Sequence, residues 1–92
     1  MKKLVLMIFV DGSVKEQQCL CEQLMESIKK EFDAGVTLHC FDVKKDAAQA
    51  NAENVILTPT IIRKEPLPEK RYVGTPQNIE QLISLIRSSL SY

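Results

Sequence analysis

The sequence predicts a mixed α/β domain whose elements run strand, helix, strand, helix, strand, strand, helix. Three observations carry that reading. An apolar run at Leu4 to Val10 is followed by a turn and a long stretch of helical periodicity. A second strand-like run, Val36 to Val43, then follows at the spacing of a right-handed βαβ unit with parallel strands. Near the C-terminus, Ile79, Leu82, Ile83, Ile86 and Leu90 recur at helical intervals, the cleanest amphipathic pattern in the chain.

Each element has its own warrant. Leu4 to Val10 reads as a central strand; two lysines before it imitate a leader, but Asp11 ends the run and no small-residue cleavage site follows. Asp11-Gly12-Ser13 supplies a turn and an N-cap for a helix reaching about Phe32. On that helix Gln17, Leu20, Cys21, Met25, Ile28 and Phe32 fall within about 100° of Leu24, and Cys19 lies near the opposite face. Asp33-Ala34-Gly35 ends it. In the second strand Val36, Leu38 and Cys40 share one face. Ala47 to Asn54 is alanine-rich, poor strand material and suited to a short helix. Thr60 to Lys64 and Glu69 to Val73 form a hairpin through Glu65-Pro66-Leu67-Pro68 and close at Gly74. Thr75 is a good N-cap for the last helix, with Pro76 at its first position.

The 92 residues make one domain, 1–92, with 45% hydrophobic and 26% charged residues, the balance of an ordinary folded chain. The formal net charge is zero. Binding to nucleic acid or an anionic membrane surface is disfavoured, because both need surplus cations. No stretch approaches the roughly 20 apolar residues of a membrane-spanning helix. The three cysteines fit neither a disulfide framework nor a zinc site, and a reducing cytoplasm is the expected compartment.

The run Ile56-Leu57-Thr58-Pro59-Thr60-Ile61-Ile62 would pass for a buried strand were it not for Pro59, which cannot donate to a ladder. A proline between threonines at the head of a strand, within this element order, matches the thioredoxin-like arrangement and its cis-proline. Pro59 is therefore a structural cis-proline candidate that leads the chain into the third strand. Redox chemistry at the usual place is not supported. A thioredoxin-type enzyme carries C-x-x-C where the first helix begins, and this chain has Asp11 to Val14 there. Cys19 and Cys21 point about 200° apart on a helix and cannot pair without unwinding it. Cys40, beside Val36 and Leu38, is expected to act as a small hydrophobe. His39 and Asp42 leave opposite faces of their strand and form no dyad. No catalytic residue, cofactor site or metal site is assigned.

Taken together, Phe9-Val10-Asp11-Gly12, Lys30-Glu31-Phe32, Asp42-Val43, Ile56-Leu57-Thr58-Pro59-Thr60-Ile61, Pro66-Leu67-Pro68-Glu69-Lys70-Arg71-Tyr72-Val73-Gly74 and Asn78 resemble, in order and spacing, the circadian clock protein family KaiB. The resemblance implies a non-enzymatic protein that docks on the N-terminal ring of the hexameric ATPase KaiC, captures KaiA and competes with the sensor histidine kinase SasA. It also implies metamorphism, between a tetrameric βαββααβ ground state and a thioredoxin-like βαβαββα form that binds partners. Four alanines between Ala47 and Asn54, and the helical periodicity from Ile79, agree only with the second form. A monomer or weak oligomer in that form is expected. Departures are Asp46-Ala47 for the family's Asn-Pro, Lys70 for an arginine and Thr75 for an aspartate; they bear on partner choice and on circadian or stress signalling.

In a thioredoxin-like sheet the second strand is an edge. Thr37, His39 and Phe41 are the side chains expected to select a partner strand, with Lys44 and Lys45 flanking them. The same lysines equally fit ordinary protection of an edge against aggregation. Arg63, Lys64, Lys70 and Arg71 gather at the hairpin, either as a solvated face or as a surface for an acidic patch on the ATPase, and Leu85 flanks the last helix. A degenerate thioredoxin-like thiol oxidoreductase is the alternative function.

Overall fold

The computed structural model describes residues 4–32, 35–74 and 79–90. Four strands and three helices follow in order: β1 (Leu4–Val10), α1 (Lys15–Phe32), β2 (Val36–Asp42), α2 (Ala47–Ala52), β3 (Thr60–Glu65), β4 (Lys70–Val73) and α3 (Ile79–Leu90). The sheet order is β2-β1-β3-β4. β1 and β2 are parallel, and the other two pairings are antiparallel. This is the thioredoxin-like βαβαββα arrangement.

β1 is central because its side chains suit burial on both faces. Leu4, Leu6, Ile8 and Val10 pack with Leu20, Cys21, Leu24 and Ile28 of α1 and with Leu82, Ile83 and Ile86 of α3. The alternate residues Met7 and Phe9 meet a smaller cluster with Ile62, Phe41, Val43 and Ala50 of α2. Two helices thus cover one face and one short helix the other, and the strand's period of two divides its residues between them. Glu31 and Arg87 add an ion pair between α1 and α3, and the Arg87 guanidinium lies 5.9 Å from the centre of the Phe32 ring.

Local differences from expectation have local causes. Val14, one residue beyond the Asp11-Gly12-Ser13 turn, precedes the helix: the Gln18 amide donates to the Val14 carbonyl at 3.1 Å. Ser13 instead completes a turn closed by Asp11, whose Oδ1 accepts from the Ser13 amide at 3.0 Å and from its hydroxyl at 2.6 Å. α2 stops at Ala52 because Asn54 adopts a left-handed φ of 56°, a conformation asparagine tolerates better than most residues. The cap and first-turn assignments to Thr75 and Pro76 lie outside the described residues.

The cysteine expectation needs a larger correction. Cys21 of α1 and Cys40 of β2 form a disulfide, with Cα atoms 6.9 Å apart. Cys40 is exposed rather than a buried hydrophobe, and Cys21 is buried at 6% exposure. The register places Cys40 beside Ile8, whose side chain belongs to the α1 face of the sheet. α1 lays Cys21 over that point. Cys19 is free and exposed, as its helix position implied.

Candidate functional site

Two local structures meet at the end of the sheet where Pro59 enters, and a third lies towards the other end of β3, where the hairpin turns into β4. The first is the turn after β1. Gln17, on the inner side of α1, accepts from the Asp11 amide through Oε1 at 2.7 Å and donates through Nε2 to the Thr58 carbonyl at 3.4 Å. One amide side chain therefore links the start of α1 to the proline segment. Asp11 lies 3.7 Å from Lys44 Nζ, which also donates to Ser13 Oγ at 3.0 Å. The Ser13 hydroxyl first, then the Ser13 amide and the Lys44 charge, hold the Asp11 carboxyl below its ordinary value of 3.8. These residues stand where a thioredoxin would carry its cysteines. They bind one another and supply no thiol.

The second structure is the proline segment. Thr58–Pro59 is cis. Pro59 is buried, and its carbonyl accepts from the Gly74 amide at 2.9 Å, so it precedes β3 without interrupting a ladder. Ile56 and Leu57, which precede the strand that begins at Thr60, are 90% and 64% exposed. With Val55, Thr60, Arg71 and Val73 they line an open cavity of about 250 Å³. Leu67, at the hairpin, is also exposed. The signal available in the sequence was the proline itself, which keeps the residues before it out of the ladder.

The third structure is the basic hairpin. Lys64 Nζ lies 2.9 Å from Glu53 Oε1 and 2.8 Å from Glu69 Oε1, and Arg71 reaches the same two carboxylates at 3.9 and 3.7 Å. Arg71 also donates to the Glu53 carbonyl. The Lys64 hydrogen bond lowers the Glu69 carboxyl from its ordinary value of 4.5, while Glu69 and Glu53 raise Lys64. Lys70 is exposed on β4. Arg63 does not join this surface: it is 1% exposed and donates through Nη2 to the Pro68 carbonyl at 2.7 Å. Alternation along β3 turns it to the face opposite Lys64. It is a packing residue beneath the hairpin.

The remaining candidates lie across β1. β2 is an edge strand. Thr37 is half-buried and His39 exposed. Phe41 stacks on Phe9 at 5.0 Å between ring centres, and His39 lies 6.3 Å from Phe41. Lys44 and Lys45 follow the strand, both exposed. The structure thus separates the sequence-derived residues into a β2 edge group and a β4 hairpin group on opposite sides of the sheet. Among the described residues no cluster of His, Cys, Asp and Glu could hold a metal ion. No described helix is long and apolar enough to cross a membrane.

A proline-headed β3, an open β2 edge and helices on both faces define a thioredoxin-like domain, here with Asp11 to Val14 at the position facing the proline. Solved structures agree on that class. The N-terminal domain of Synechococcus elongatus SasA superposes with a TM-score of 0.71 at 17% identity, over 98% of this chain and 85% of that one. The Drosophila melanogaster thioredoxin Deadhead gives 0.74 at 15%, over 94% and 80%. At such identities the likeness concerns fold alone. Sequence gives the family: the KaiB domain model matches residues 7–88, and the chain belongs to the KaiB family. It is 26% identical to the circadian clock protein KaiB3 of Synechocystis over 90% of this chain and 81% of that protein. It is 28% identical to the circadian clock oscillator protein KaiB of Thermostichus vulcanus over 89% and 76%.

Proposed function

We propose that this protein is a non-enzymatic binding module that docks, in its thioredoxin-like form, on a KaiC-type hexameric ATPase and so regulates circadian or stress signalling in the cytoplasm. The observation that carries the reading is that a KaiB-family chain has the form in which β2 stands at a sheet edge and α3 is a helix. That is the form the family resemblance links to partner binding.

Two surfaces divide the work. The β4 side offers Ile56, Leu57 and Val73 as exposed apolar contacts beside Arg71, while Lys70, paired with Arg63, leaves the other face of the same strand. An apolar centre with basic neighbours suits an acidic, partly apolar patch on the ATPase ring. The β2 edge offers main-chain groups to a strand of a KaiA-like protein, with Thr37 and His39 beside it and Lys44 and Lys45 at its end. The sensor histidine kinase carries a domain of the same fold and would compete for the ATPase. The protein acts as a monomer or weak oligomer.

The two surfaces can be tested apart. Lys70→Glu is the cleaner charge reversal, because Arg71 is engaged with Glu53 and Glu69. It is expected to slow association with the ATPase several-fold, more so at low salt, with little change in dissociation. An unaltered association rate would remove Lys70 from the interface.

The thiol oxidoreductase reading keeps one observation, the Cys21–Cys40 pair. That pair lies between α1 and β2, across β1 from the strand that Pro59 opens. An insulin-reduction assay is expected to show no turnover; sustained catalysis lost in Cys40→Ser would favour the enzyme.

A further inference from the structure

We infer that Cys21 and Cys40 form a reversible thiol–disulfide site that exchanges with a small-molecule disulfide of the glutathione class and, when oxidised, latches the β2 edge strand to α1. The two residues come from different elements and meet through packing. Cys40 is exposed and Cys21 buried, the division expected of an attacking and a resolving thiol. Both line an open cavity of about 390 Å³ shared with Gln18, Glu22, Met25 and Lys45. That volume lies in the range of sites that admit small molecules. It gives a small disulfide access to the Cys40 sulfur without opening the core.

The exchange balances in two steps. The Cys40 thiolate attacks one sulfur of the small disulfide, forming a mixed disulfide and releasing one small thiolate. The Cys21 thiolate then attacks the Cys40 sulfur, forming the internal bond and releasing the second. Two protein thiols are oxidised, the small disulfide is reduced to two thiols, and the two protein protons end on the released thiolates. A reducing compartment runs the reaction backwards. Disulfides in such compartments are mostly transient or sensing rather than structural.

The mechanical consequence follows from position. β2 is bonded in the sheet on one side only, to β1. The bond at Cys40 adds a second anchor in the strand's C-terminal half, between His39 and Phe41. Oxidation therefore restrains the strand whose open edge is available to partners. The redox step itself does not rest on the proposed partners, and its readout is independent of them.

The test is a thiol count on the folded protein, by N-ethylmaleimide labelling and intact mass, after incubation with oxidised and then reduced glutathione. Oxidised glutathione is expected to lower the alkylated cysteines from three to one, Cys19, with a mass lower by two hydrogens before labelling; reduced glutathione should restore all three. In Cys21→Ser the same treatment is expected to stop at a glutathione adduct on Cys40. Cys19→Ser should still lose two thiols. Three reactive thiols after oxidation, a Cys40 adduct that persists in the natural sequence, or a bond that reduced glutathione leaves intact would each overturn the proposal.

Discussion

Gly12 sits where the chain turns from β1 into α1, and its missing Cβ matters because one placed there would run into the Asp42 carboxylate. That carboxylate caps the turn after β2, accepting from the Lys44 amide at 3.0 Å. Gly12→Ala forces Asp42 aside and is expected to cost roughly 1 kcal/mol, the net worth of such a bond, read as a lower urea midpoint. Acid behaviour belongs to single residues too. Glu69 has a folded pKa below its ordinary 4.5, so its contribution is present above that value and lost as pH falls through the lowered one. Glu69→Gln should lower the melting temperature slightly near neutrality and leave it unchanged below about pH 3, so that the fall between about pH 5 and pH 3 is flatter; an unchanged acid limb would contradict the pairing with Lys64. Residues of this kind were only partly legible in the sequence. Cys19 could be placed on the outer face of α1 from periodicity alone. Arg63 could not be placed inside, because its burial depends on the Pro66–Pro68 connection folding over it, and Gln17 gave no sign of reaching Thr58, 41 positions away.

At the level of elements, periodicity carried most of the outcome. α3 was plain from the spacing of Ile79, Leu82, Ile83 and Ile86, and the last of these is fully buried. Ile86→Ala is expected to destabilise the domain by about 2–5 kcal/mol, whereas Leu85→Ala, at an exposed site, should stay within about 0.5 kcal/mol. Thermal or denaturant unfolding of the two variants checks both. The same helix separates the family's two folds, so backbone chemical shifts over 79–90 are expected to be helical; strand shifts there would place the resting protein in the other fold. What the sequence did not disclose at this scale was pairing between elements. The Cys21–Cys40 contact needs the β1–β2 register and the position of α1 together, and no spacing along one element contains that information. Likewise Ile56 and Leu57 had the composition of a strand, and the ladder starting only at Thr60 left them exposed.

The whole molecule combines a fold associated with thiol enzymes, a first turn without thiols, and membership of a family of clock proteins. The face of β4 with Ile56, Leu57, Val73 and Arg71 and the β2 edge across the sheet are the two surfaces proposed for partner contact. The direct measurement is size-exclusion chromatography with light scattering of this protein mixed with a KaiC-type hexameric ATPase, with and without the thioredoxin-like domain of the sensor kinase. Co-elution with the hexamer, displaced by the kinase domain, is the predicted result. Elution of the two components apart at concentrations well above micromolar would contradict it.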